Sequence, residues 1–95
     1  ALHTDMSNKP VTIIMPVYNG LPYVLEAVES VINQTYDNIE LIIINDDSTD
    51  GTAEALEKYS SSLTLIHNEK NLGIYGTMNR GIELAKGEYI AIYHA

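Results

Sequence analysis

The chain has 95 residues, 45% of them apolar, and a formal net charge of −8 from 13 acidic against 5 basic residues. That length allows one small domain, near the lower end of what buries a self-sufficient core. The charge argues against a nucleic-acid backbone or an anionic membrane as partner, no apolar run is long enough to span a bilayer, and the lack of Cys rules out disulfides and thiolate metal sites.

Residues 1–10 read as a leader, disordered or added, with Met6 as the natural start; no signal peptide is visible, and the chain reads as cytoplasmic, with the inner face of the membrane reachable through other regions. Val11-Thr12-Ile13-Ile14-Met15 predicts a first strand that Pro16 ends, since proline donates nothing to a ladder. Asn19-Gly20 turns the chain and Pro22 suits the first turn of a helix. Leu21, Val24, Leu25, Val28, Val31 and Ile32 recur at helical spacing as one apolar face, up to about Gln34. Thr35 to Asn38 reads as a loop.

Ile39 to Ile44 predicts a second strand. Its run Leu41-Ile42-Ile43-Ile44 fits burial on both faces, as in a parallel sheet. The acidic turn Asn45-Asp46-Asp47-Ser48-Thr49-Asp50 follows at once. A helix cap explains Asp50 and Ser48, but only one residue can occupy the cap, so Asp46 and Asp47 point to a ligand. Thr52 to Tyr59 predicts a short helix with Ala53, Leu56 and Tyr59 inward. Leu63 to His67 reads as a third strand in which His67 ends the strand without chemistry. Ile74, Met78, Ile82 and Ala85 predict the core stripe of a third helix with Gly87 as its C-cap, and Tyr89 to Tyr93 a fourth strand.

Strands alternating with helices predict an α/β fold, a Rossmann-like three-layer α/β/α arrangement with a parallel sheet. The alternation ends with the fourth strand, as in a domain cut short. Three segments follow strands and so belong at the carboxyl edge, where open α/β sheets bind ligands: Pro16 to Asn19, Asn45 to Asp50, and His67 to Gly73. A dinucleotide-binding oxidoreductase or a P-loop needs a glycine-rich turn after the first strand, and Tyr18-Asn19-Gly20-Leu21-Pro22 has one glycine. A phospho-acceptor receiver would carry an aspartate where His67 stands.

Six pieces in order resemble the N-terminal half of a family 2 glycosyltransferase of the GT-A fold: Pro16-Val17-Tyr18-Asn19, Glu29 to Tyr36, Asp46-Asp47-Ser48-Thr49-Asp50, Asn71-Leu72-Gly73, Asn79-Arg80-Gly81-Ile82 and Ala85 to Ile90. The resemblance covers residues 11–95 as the nucleotide-sugar-binding half of such a domain. It implies transfer of a sugar from a nucleotide-diphosphate donor, UDP-linked before other bases, to the hydroxyl of a glycan or lipid-linked acceptor with inversion. Tyr18 would lie against the base, Asp46 would accept its ring N–H, and Pro16, Val17, Asn19 and Asp47 would border the nucleoside. Asn71 and Gly73 would wall the phosphates and ribose. Gln34, Thr35 and Met78 read as structural, Gly81 as a close helix–sheet contact, and Tyr36, Tyr75, Tyr89 and Tyr93 as packing residues.

The chain departs from the family pattern where Asn45 and Asp47 replace an acid and a glycine, and where Met78 stands in place of an arginine common among relatives. The family's Asp-x-Asp motif holds Mg2+ or Mn2+ against the diphosphate. Here His94 stands at its first acid, a candidate ligand for Mn2+ more than for Mg2+. No catalytic base is placed within these residues, so the piece itself is expected to be inactive. The departures leave an alternative: a non-catalytic nucleotide-binding or interaction module of the same ancestry.

Overall fold

The computed structural model describes residues 9–34 and 38–93. The elements run β1 (Val11–Val17), α1 (Tyr23–Ile32), β2 (Ile39–Asn45), α2 (Thr52–Leu56) continued by a 3-10 turn (Glu57–Tyr59), β3 (Thr64–His67), α3 (Gly73–Leu84) and β4 (Tyr89–Ile92). The four strands form one sheet in the order β3-β2-β1-β4, and every neighbouring pair is parallel. The α/β expectation holds, with the two longest strands central.

Alternation along those strands builds the layers. Ile13, Met15 and Val17 of β1 and Leu41 and Ile43 of β2 join Val24, Val28 and Val31 of α1 and Leu56 of α2 in one buried cluster. Ile14, Ile42 and Ile44 point the other way, into a second cluster on the α3 side. Helices therefore cover both faces, which is why β2 is an unbroken apolar run rather than an alternating one.

Pro16 lies inside β1, paired with Ile44, rather than ending it. The Val17 carbonyl bonds the Asp46 N–H on the β2 side, so Pro16 turns its nitrogen toward β4. There the ladder stops once the Tyr93 N–H has bonded the Ile14 carbonyl, so Pro16, with no N–H to give, ends it on that side while β1 runs on beside β2. In α1, Ala27 is buried and Ile32 is 39% exposed, so the inward face is rotated from the stripe expected on hydropathy. Tyr59 ends the 3-10 turn half-buried, with its hydroxyl on Glu29.

Helix α3 departs most from expectation. Its buried residues are Thr77 and Gly81, whereas Ile74 and Ile82 are exposed and Met78 is only half-buried. A Cβ on Gly81 would lie 2.5 Å from Ile14 Cγ2, so the missing side chain lets the helix axis approach the sheet. The helix ends at Leu84 with Ala85 as C-cap. Gly87 is no cap: its Cα lies so close to β1 that a Cβ would stand 2.5 Å from the Thr12 nitrogen.

Lys9 and Pro10, assigned to the leader on sequence, are tied to β4. Lys9 pairs with Glu88 at 3.4 Å, and the Pro10 carbonyl accepts the N–H groups of Glu88 and Tyr89. Of the tyrosines read as packing residues, Tyr93 packs against the first cluster while Tyr75 and Tyr89 are exposed. Tyr36 and Thr35 lie outside the described residues, as does His94.

Candidate functional site

The strand register decides which side chains meet beyond the sheet's carboxyl edge. Pro16 pairs with Ile44 and Val17 with Asn45. Pro16, Tyr18 and Asp46 therefore fall on the α3 side of the sheet, and the N-terminal turn of α3 closes over them. A cleft of about 250 Å³ results, lined by Pro16, Val17, Tyr18, Asp46, Asn71, Gly73, Ile74 and Thr77. Six of the eight residues expected around the nucleotide sugar thus share one cavity. Tyr18 is 55% exposed at its edge, while Asp46 is 4% exposed at its floor.

Asp46 is a buried carboxylate that accepts from three N–H donors. Its Oδ1 accepts the Leu72 N–H at 2.7 Å and the Asn68 amide Nδ2 at 2.9 Å, and its Oδ2 accepts the Gly73 N–H at 3.0 Å. Leu72 and Gly73 are the cap and first residue of α3, so the helix's positive end adds to the stabilisation. Burial alone would push the carboxyl up. The donors Leu72, Asn68 and Gly73, with the Thr77 hydroxyl, outweigh it and hold the group below the usual aspartate value. Asp46 is thus an ionised acceptor at neutral pH.

Asn68, not among the residues expected at the site, follows β3 directly. Its N–H bonds the Asn45 carbonyl, and its buried side chain links Asp46, Thr77 and Arg80. The signal that could have found it was its place between a strand end and Asn71, in the same segment. Thr77 lies four positions after Gly73, one turn along the face that α3 presents to the cleft. Asn71 lines the cleft and donates its amide to the Asp46 carbonyl at 3.2 Å.

Asn19 and Asp47 are not among the lining residues. Asn19, at φ 49, accepts the Thr49 N–H on its Oδ1 at 2.8 Å, and its own N–H donates to Ser48 Oγ at 2.9 Å. Nearby the Gly20 N–H donates to Thr52 Oγ1, and the Leu21 N–H to Asp50 Oδ2. These bonds stitch the loop after β1 to the turn after β2. Asp50 does cap α2, accepting the Thr52 N–H at 3.0 Å, but from one residue before the formal cap, Gly51. The Thr52 hydroxyl hydrogen-bond, followed by backbone donors, draws the Asp50 carboxyl down from its usual value.

The two unusual residues of the turn have structural reasons. Asp47 is exposed at φ 62, where glycine is easiest and Asp and Asn are tolerated. Asn45 is buried, accepts the Ser48 N–H on Oδ1 at 3.2 Å, and meets His67 Nδ1 through Nδ2 at 3.0 Å. The Glu57 carboxylate takes the N–H at Nε2, so in a neutral ring Nδ1 accepts from the Asn45 amide, and a carboxylate at position 45 could not donate to it. His67 completes this row with Glu57 at 3.0 Å.

A divalent ion needs several hard or nitrogen ligands converging. Among the described residues, no group of three or more His, Asp or Glu side chains could hold one. His94 falls outside the described residues. Nor is any helix among the described residues long and apolar enough to cross a membrane.

Known proteins resemble this chain in sequence and fold. A family model described as glycosyl transferase family 2 matches residues 12–95. Glycosyltransferase GlyG of Streptococcus pneumoniae serotype 4 is 38% identical over 85 residues, covering 86% of this chain and 28% of that protein. The mannosyltransferase PcManGT from Pyrobaculum calidifontis, solved with GDP-Man and Mn2+, superimposes with a TM-score of 0.84 at 28% identity over 90% of this chain and 27% of its own. S. aureus TarS 1-349, solved with UDP-GlcNAc, gives 0.81 at 29% identity over 90% of this chain and 26% of its own. The chain spans about a quarter or less of the length of the curated relatives it matches.

Proposed function

Because this chain belongs to glycosyl transferase family 2, we propose that it forms the donor-nucleotide half of an enzyme that moves a sugar from a nucleotide diphosphate, UDP-linked, to an acceptor hydroxyl with inversion. The observation that carries this reading is the buried, ionised Asp46 at the floor of a cleft whose edge is the exposed ring of Tyr18. A nucleobase offers a flat face for the ring and, in uracil, an N–H for the carboxylate. The carboxylate has about four acceptor positions, three of them filled by N–H donors. The Thr77 hydroxyl, which accepts from Asn68, lines the cleft beside it. Pro16, Val17, Asn71 and Gly73 frame the same space, with Asn19 and Asp47 shaping the turns behind it.

The bound donors of TarS and PcManGT support a nucleotide sugar as the ligand class. The Mn2+ in PcManGT supports a divalent metal in the intact enzyme, with ligands drawn from outside the described residues. The glycan or lipid-linked acceptor, and work in the cytoplasm or at the inner face of the membrane, belong to the same proposal. The non-catalytic alternative drew on Asn45, Asp47 and the His94 that stands at the first metal-binding acid; the first two have local reasons in the turn that do not concern catalysis, and His94 lies outside the described residues.

Titration of the 95-residue chain with UDP in the presence of Mn2+ tests the reading. Weak, saturable binding is expected, reduced about tenfold or more by Asp46→Ala, since bonds to charged groups contribute roughly 1.5–3 kcal/mol. Binding unchanged by both Asp46→Ala and Tyr18→Ala would remove the donor site from this cleft. The chain alone is expected to transfer no sugar; turnover at the rate of the full-length protein would refute that.

A further inference from the structure

Asn68 stands where three polar groups converge. Its Nδ2 donates to Asp46 Oδ1 at 2.9 Å and to Thr77 Oγ1 at 3.2 Å, while its Oδ1 accepts from Arg80 Nη1. An amide has two orientations, and only one presents donors to the carboxylate; the other would set oxygen against oxygen. Arg80 cannot accept, so it holds the Asn68 oxygen on its own side and thereby fixes the nitrogen toward Asp46. The main chain of Asn68 is fixed too, by the last rung to Asn45 at 2.8 Å. With Leu72 it fills Oδ1, which leaves Oδ2, bonded to Gly73, as the oxygen with room for a further donor.

We infer that Asn68, oriented by Arg80, is a positioning residue that aims the Asp46 carboxylate at the cleft and so sets the preference for a base whose ring nitrogen carries a hydrogen. The inference rests on the reading of Asp46 as the base contact. Uracil presents such an N–H, whereas cytosine presents a bare ring nitrogen at the same place and would face the carboxylate lone pair to lone pair. A carboxylate free to rotate would lose much of that discrimination, because water or a reoriented ligand could share it. Arg80 also sets a positive charge behind the network, in a chain with few, and is not among the residues that line the cleft.

The test is to titrate the chain with UDP and with CDP, and to follow the Asp46 side-chain carbon by NMR across pH, in wild type, Asp46→Asn, Asn68→Ala and Arg80→Met. Wild type is expected to favour UDP by about tenfold, the size of one bond to a charged group, and Asp46→Asn to lose that preference. Asn68→Ala is expected to cut the UDP-to-CDP ratio several-fold and to move the Asp46 titration upward. Arg80→Met, at a half-buried position that does not line the nucleotide cleft, does the same to a smaller degree and decides the matter if Asn68→Ala fails to fold. A merely structural role would weaken both nucleotides alike and leave their ratio unchanged. If Asp46→Asn erases the preference while Asn68→Ala and Arg80→Met keep both the ratio and the titration, the positioning role is overturned and the base contact stands. If wild type binds UDP and CDP equally, the base contact itself fails and the inference falls with it.

Discussion

Gly81 of α3 sits against Ile14 of β1 so closely that an added Cβ would stand 2.5 Å from Ile14 Cγ2 and 3.1 Å from Ile44 Cδ1. Both isoleucines are fully buried, so neither can swing into solvent. Gly81→Ala should therefore destabilise the chain by roughly 1–3 kcal/mol, the cost of overpacking a filled core, despite the better helix propensity of alanine. Urea unfolding followed by circular dichroism measures it. An unchanged midpoint would mean that α3 can lift from the sheet freely. Such a lift would also shift Thr77, so the same variant should bind UDP more weakly.

Asn19 ties two loops that are 30 residues apart, through its Oδ1 and the Thr49 N–H. It also holds a left-handed backbone at φ 49. The two roles separate by substitution. Asn19→Gly keeps the backbone and loses the bond, at about 0.5–1.5 kcal/mol. Asn19→Ala loses both, adding about 1 kcal/mol for an alanine in that region. Thermal unfolding of the pair should rank them in that order, and equal midpoints would show that the backbone conformation carries no cost.

Asp47 offers the converse case, since its side chain is exposed and its φ is 62. Asp47→Gly should leave stability within about 1 kcal/mol of wild type, because relief of the left-handed strain opposes the extra chain entropy of glycine. Asp47→Val should cost about 1–3 kcal/mol, a β-branched residue being the poorest fit there. If valine is tolerated as well as glycine, the turn must adopt another conformation in solution.

These residues also mark what the sequence alone makes legible. The strands, the acidic turn and the three edge segments were legible because a buried parallel strand needs a continuous apolar run and its carboxyl edge collects turn residues. The face of α3 was not. Hydropathy assigns Ile74, Met78 and Ile82 inward, but the helix approaches the sheet on its smallest residues, Thr77 and Gly81, and a close approach is invisible to a scale that rewards size. The cross-loop bonds of Asn19 were hidden for another reason. Polar residues in adjacent loops can face ligand or each other, and only the register of Val17 with Asn45 decides between them. The same holds for Asn68, whose partners lie 22 residues back and 12 residues on.

The carboxylates give the pH dependence a definite sign. Asp46 is held below its usual value by Leu72, Asn68, Gly73 and Thr77 against the opposing effect of burial. Glu40 is likewise lowered against its own burial, by the Thr12 hydroxyl and the Lys86 N–H and charge, and Asp50 by Thr52 and Leu21. A group whose folded value lies below its unfolded one binds fewer protons when folded. Its stabilisation is complete above the unfolded value, near 4 for these side chains, and is lost as pH falls from there through the folded value. The chain should hold constant carboxylate-linked stability from pH 7 to about 5 and lose it progressively below. Asp46→Asn removes one titrating group and also sets an amide N–H against the donors of α3. It should lower the urea midpoint at pH 7 and flatten its decline toward pH 3. A variant whose midpoint falls with acid as steeply as that of wild type would show that Asp46 titrates alike in the folded and unfolded chain, and that its network of donors does not hold the charge.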